Sequence, residues 1–146
     1  MIKELEKKLH NEIPLTKFMQ LKIEKYDEKT LVTTAPLDVN INDKGTAFGG
    51  SLATICIISS WSLCWLISKE LGFDSNNIVI IKNEHLYKKP ITQSIICHTQ
   101  KPSNEEIEIL REKLQRKKSA SIKIYSTIIE NSEIGVQFEG YYVIKL

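Results

Sequence analysis

The sequence predicts an α+β chain in which an antiparallel sheet of about six strands wraps around one long apolar helix. Two observations carry that expectation. The segment Gly45 to Ser68, GTAFGGSLATICIISSWSLCWLIS, holds no charged residue, although Lys44 precedes it and Lys69-Glu70 follows it. Further on, Ala120, Ile122, Ile124 and Ile128 alternate with Ser121, Lys123 and Thr127. After a turn at Asn131-Ser132-Glu133, Ile134, Val136, Phe138, Tyr142 and Ile144 repeat the pattern. Such alternation marks a sheet with one covered and one wet face. A helix apolar around most of its circumference must be buried, and the sheet supplies the cover.

Each element has its own signal. Ile2, Leu5, Leu9 and Ile13 recur at helical spacing and predict a short amphipathic helix that stops near Pro14. Leu21 and Ile23 alternate with Lys22 and Glu24, and Asp27-Glu28-Lys29 turns the chain into a second strand over Leu31 to Ala35. Pro36 to Lys44 reads as a loop. The uncharged run divides into a turn, Gly45 to Gly50, and a helix, Leu52 to Ser68, with Gly72 as its C-terminal cap. A strand from Ile78 becomes polar through Lys82-Asn83-Glu84 and stops before Pro90; Gln93 to Gln100 is another. Ser103-Asn104-Glu105-Glu106 is a capping box opening a helix whose inner stripe is Ile107, Leu110 and Leu114. The two alternating strands then close the chain. Nothing resembles a repeat or a linker, so one domain over residues 1–146 is expected.

Several classes are set aside by composition. The uncharged run is long enough to cross a bilayer. Its glycines crowd one end, serines interrupt it, and Trp61 and Trp65 stand away from its ends, so a soluble core helix is expected rather than a span. With 20 Lys and Arg, 18 Asp and Glu and a net charge of +2, the chain carries no field that implies nucleic acid. Its charged start, MIKELEKKLHNE, is unlike a signal peptide, and a cytoplasmic location is expected. Cys56, Cys64 and Cys97 form no zinc spacing and are expected as free thiols, with no metal.

The chemistry-bearing stretch is Asn40-Ile41-Asn42-Asp43-Lys44-Gly45-Thr46-Ala47-Phe48-Gly49-Gly50-Ser51. Adjacent glycines at a helix start let another group approach the backbone, because no Cβ blocks the way. First-turn amides lack internal partners and favour negative charge, so they can polarise a carbonyl or hold an oxyanion. The plainer alternative is a tight turn with Ser51 or Thr46 capping the helix.

The stretch NINDKGTAFGGSL, with Ser60-Trp61 and IVIIKNEHLYKKPI after it, resembles the YiiD C-terminal family of thioesterases, within the hot-dog fold superfamily. The order of elements is similar along nearly the whole chain. The resemblance implies a hot-dog fold, a homodimer or dimer of dimers, and an acyl thioester of coenzyme A or acyl carrier protein as substrate. No cofactor is implied, since coenzyme A or phosphopantetheine enters as part of the substrate. The implied site lies between two subunits. By that resemblance Asn42 and the amides of Gly49 and Gly50 hold the thioester carbonyl; Asp43, the carboxylate nearest the glycine turn, is added to this catalytic set from its position alone. Thr46, Phe48, Ser51, Trp61 and Glu84 form the substrate-binding set, and the acyl chain runs beside the helix near Trp61 and Leu63.

The departures from the family pattern bear on mechanism. Phe48 stands where many relatives have histidine, and Thr54 to Ile58 lacks the Asp or Glu that many carry there. Asp43 is the nearest carboxylate and could orient water, although an exposed turn residue is the plainer reading. Glu84 and His85 point to opposite faces of their strand, so at most one points inward, and His85 is assigned to the surface. Two readings stay open: a hydrolase, or a hot-dog module that binds acyl thioesters without turning them over. A dehydratase on the same fold is the weaker third.

Overall fold

The computed structural model describes residues 1–146. Its elements are α1 (Ile2–Glu12), α2 (Pro14–Phe18), β1 (Lys22–Tyr26), β2 (Thr30–Ala35), α3 (Gly49–Glu70), β3 (Asn77–Tyr87), β4 (Ile95–Gln100), α4 (Asn104–Lys117), β5 (Ser119–Glu130) and β6 (Glu133–Lys145). The strands form one antiparallel sheet in the order β1-β2-β4-β5-β6-β3. The expected α+β architecture is therefore present. α3 connects β2 to β3 at the opposite edge and packs on five of the six strands, β2 to β6, on the way. By length and composition α3 could cross a bilayer; here it is the core helix of the fold.

The alternation seen in the sequence becomes the inner face of the sheet. Ile124, Ile128, Val136 and Ile144 are fully buried beneath α3. Tyr142 is also fully buried, and its hydroxyl donates to the Ile57 carbonyl of α3 at 2.7 Å. Gly140 lies between Phe138 and Tyr142 on the same face. A Cβ there would stand 2.7 Å from both rings, so the two aromatics fill the space a side chain would take.

A set of hydroxyls crosses the apolar layer. Ser59 of α3 shares a hydrogen bond with Thr33 of β2 at 2.5 Å. Ser60 pairs with Ser126 of β5 at 2.9 Å, and Ser126 pairs in turn with Thr99 of β4 at 2.7 Å. All five are buried. The pairing satisfies groups whose burial without partners costs about 1–3 kcal/mol each.

Three features differ from the expectation. Beyond Pro14 the chain forms a further short helix, α2, with proline at its first position, where the missing N–H costs nothing and φ is preset. α3 starts at Gly49, so the two glycines form its first turn rather than a turn before it. Neither Ser51 nor Thr46 caps it: Phe48 is the N-cap and makes no side-chain cap bond. The capping box at Ser103 is present, with Ser103 accepting from the Glu106 amide and Glu106 accepting from the Ser103 amide, both at 3.2 Å. Gly72 follows the end of α3 at φ +84, as a glycine terminator should.

Candidate active site

The loop before α3 is built on two asparagines. Asn40 is buried, and its amide donates to the carbonyls of Met19 at 3.0 Å and Pro36 at 2.7 Å. Its own carbonyl accepts from Phe48 N–H at 2.8 Å, which fixes where the helix begins. Asn42 closes the turn between them. Its side-chain oxygen accepts from the amides of Lys44 at 2.8 Å and Thr46 at 3.1 Å, while its Nδ2 donates to Thr46 Oγ1 at 2.8 Å. The Asn42 side chain is thus engaged within its own turn, with Thr46, and orders the approach to α3.

α3 then opens without a cap. Its first amide with a helical partner belongs to Leu52, which donates to the Phe48 carbonyl at 3.0 Å. The amides of Gly49, Gly50 and Ser51 precede that bond and have no partner within the helix. Gly50 is exposed, and the Phe48 ring lies across it: a Cβ on Gly50 would come 2.4 Å from Phe48 Cε2. The arrangement can donate hydrogen bonds to an oxygen carrying negative charge, aided by the helix dipole.

The end of β3 flanks this turn. Tyr87 OH donates to the Gly49 carbonyl at 3.4 Å. His85 faces the same way: its ring stacks on Tyr87 at a centroid distance of 5.9 Å and tilts against buried Phe138 at 4.8 Å. Its Nε2 is buried and has no hydrogen-bond partner. Burial lowers the imidazole pKa, opposed in part by the nearby Ala53 carbonyl of α3, so the ring is neutral at pH 7. Burial likewise raises the pKa of the Tyr87 phenol, reinforced by Cys56.

His85 is the residue sequence reasoning misplaced on the surface. An unbroken alternation from the buried Ile78 would have turned Glu84 inward. The ladder between β3 and β6 slips at Ile80/Lys82, leaving Ile81 as an extra residue, and the parity inverts. Glu84 therefore lies exposed on the outer face opposite Glu139, away from Gly49. The remaining residues are also placed. Asp43 is an exposed carboxylate paired with Lys44 at 3.1 Å. Ser51 is half-buried on the first turn of α3. Trp61 is half-buried and donates its Nε1 to the Ile78 carbonyl at 2.9 Å, and Leu63 is fully buried. Cys56, Cys64 and Cys97 are buried free thiols.

A six-stranded antiparallel sheet around one central helix, with an open glycine turn at the helix start, is the hot-dog fold of thioesterases. A family model described as putative thioesterase (yiiD C-terminal) matches residues 2–146, and the chain belongs to that family. A protein of unknown function from Chlorobaculum tepidum is 34% identical, with 98% of this chain and 93% of that one covered at a TM-score of 0.92. A thioesterase-like protein from Shewanella oneidensis is 28% identical, with coverage of 99% and 97% and a TM-score of 0.90. A thioesterase from Haemophilus influenzae, 12% identical, shares the fold at a TM-score of 0.74, with coverage of 100% and 92%.

Proposed function

We propose that the chain hydrolyses acyl thioesters of coenzyme A or acyl carrier protein to the free acid and the carrier thiol. One observation carries the reading: the uncapped first turn of α3, with Gly49 and Gly50 leaving the backbone open. The thioester oxygen docks on those amides, which strengthen their hold as attack turns it into an oxyanion. Water adds to the carbonyl carbon as Nε2 of His85, the neutral base beside the turn, takes its proton; the C–S bond then breaks and that proton passes to the departing sulfur, which leaves as the carrier thiol. Asn42 and Thr46 position the turn without touching the carbonyl.

The absence of any Asp or Glu between Gly49 and Ser68 favours a second reading, a module that binds acyl thioesters and leaves them intact. Acyl-CoA esters from acetyl to palmitoyl, assayed with a thiol-reactive chromophore, separate the two. Hydrolysis releases free thiol with turnover; saturable binding with no thiol released defeats the hydrolase. Asp43→Ala is expected to keep full activity, since its carboxylate is solvated, and a loss would return Asp43 to the mechanism.

In this reading the site is completed by a second copy along the free edge of β3. Support comes from that edge itself. β3 is eleven residues long, ends the sheet, and exposes Val79 (40%), Ile81 (61%), Leu86 (59%) and Tyr87 (54%). A long apolar edge strand is a template for pairing, and an added lysine blocks it. Ile81→Lys is expected to convert a dimer into a monomer by light scattering and to abolish hydrolysis with it. A wild-type monomer with full activity would remove the second copy from the site.

A further inference from the structure

An apolar surface opens at the Gly49-Gly50 turn, on the side of the helix start that faces α2. A groove of about 260 Å³ runs between α2 and the start of α3. Met19 (3% exposed) lies at its base, with Val39 half-buried beside it. Leu15 and Phe18 on α2 and Phe48 at the N-cap form its walls, and all three are large apolar side chains left open, at 55%, 73% and 56% exposure. No charged residue lines it, and it is bounded on the helix side by Gly50, Ser51 and Thr54. Exposed apolar clusters of this kind mark a binding surface.

We propose that this groove holds the acyl chain of the substrate, with Phe18 and Leu15 of α2 setting the preferred chain length; the proposal rests on the thioester reading of the Gly49-Gly50 turn. Continuity decides the occupant. The groove reaches Gly50 itself, so a chain attached to a carbonyl held at the first-turn amides enters it directly. The uncharged lining disfavours the phosphates and adenine of coenzyme A, which stay outside. At about 260 Å³ the groove is small, which suits a short to medium-length chain. The Phe48 ring lies against Gly50 and forms the wall of the groove where it meets the turn.

The test compares wild type with Phe18→Ser and Leu15→Glu, substitutions at exposed positions that leave folding nearly unchanged. KM for the wild type is expected to fall up to about fourfold with each added methylene, levelling off near octanoyl. In both variants that gain is expected to vanish while acetyl-CoA turnover stays unchanged. Chain-length profiles that remain parallel to wild type would overturn the proposal. If wild type releases no thiol from any ester, the hydrolase reading fails by itself, and calorimetric binding of octanoyl-CoA against acetyl-CoA decides the groove. A preference for octanoyl-CoA that Phe18→Ser removes supports it, and equal affinities sink it. Should either variant dissociate a dimer, the groove is a contact between copies and the proposal falls.

Discussion

Substituting His85 by glutamine is expected to lower kcat for acyl-CoA hydrolysis by about 10²–10⁴-fold, the usual contribution of a positioned general base. Glutamine keeps a polar group of similar size against Phe138 and α3, so the fold should survive and circular dichroism should be unchanged. The pH profile distinguishes a base from a packing residue. Burial lowers the imidazole pKa below its ordinary value of about 6.5. Wild-type activity should therefore be flat near neutrality and fall as the pH drops through that lowered value. The titratable group stacked on the ring is Tyr87 of its own strand, whose phenol holds its proton more tightly than usual. His85→Gln should abolish the acid limb; a variant that keeps both rate and limb removes His85 from the chemistry. The same lowered pKa has a stability consequence. The unfolded chain binds the proton more readily, so the contribution is present in full above about pH 6.5 and declines as the pH falls below it.

Tyr142→Ala is expected to destabilise the protein by about 3–5 kcal/mol, the range for emptying a fully buried aromatic position. Three losses coincide there. The ring no longer fills the core beneath α3, the bond to Ile57 disappears, and the space over Gly140 loses one of its two covers. For a chain of 146 residues this corresponds to a fall in Tm of about 10 °C or more. Denaturant unfolding should show a lower midpoint at an unchanged slope. Tyr142→Phe isolates the hydroxyl and is expected to cost only about 1 kcal/mol. Equal stability of the alanine variant and wild type would show that the core re-closes around the gap.

Much of this architecture was legible because local signals and burial agree. Ile122, Ile124 and Val136 fall on the covered face as their spacing predicts, although Ile134 beyond the ladder slip at Ile128/Ile129 is exposed, and Ser103 and Glu106 meet as a capping box does in any helix. The glycine turn was legible by resemblance and by the backbone freedom of Gly49 and Gly50. What stayed hidden depends on long-range geometry. No local pattern announces that β3 joins the far edge of the sheet beside β6. The extra residue at Ile81 looks like ordinary strand sequence, yet it decides whether Glu84 or His85 faces α3. Asn42 carries the right chemistry for a carbonyl ligand, and only the contacts show its oxygen and amide engaged by Lys44 and Thr46. The α2 groove was invisible because Leu15 and Phe18 read as ordinary apolar residues next to a proline.

The hydroxyl pairs beneath α3 have an orientational consequence. A cylinder greasy on every side has no preferred azimuth, since rolling it by a few tens of degrees exchanges one aliphatic contact for another. Hydrogen bonds from Ser59 to Thr33 and from Ser60 to Ser126 can be satisfied at only one angle of roll and one depth. They act as a keyway. The bearing they impose on the axle carries to its far end, where it aims the amides of Gly49 and Gly50.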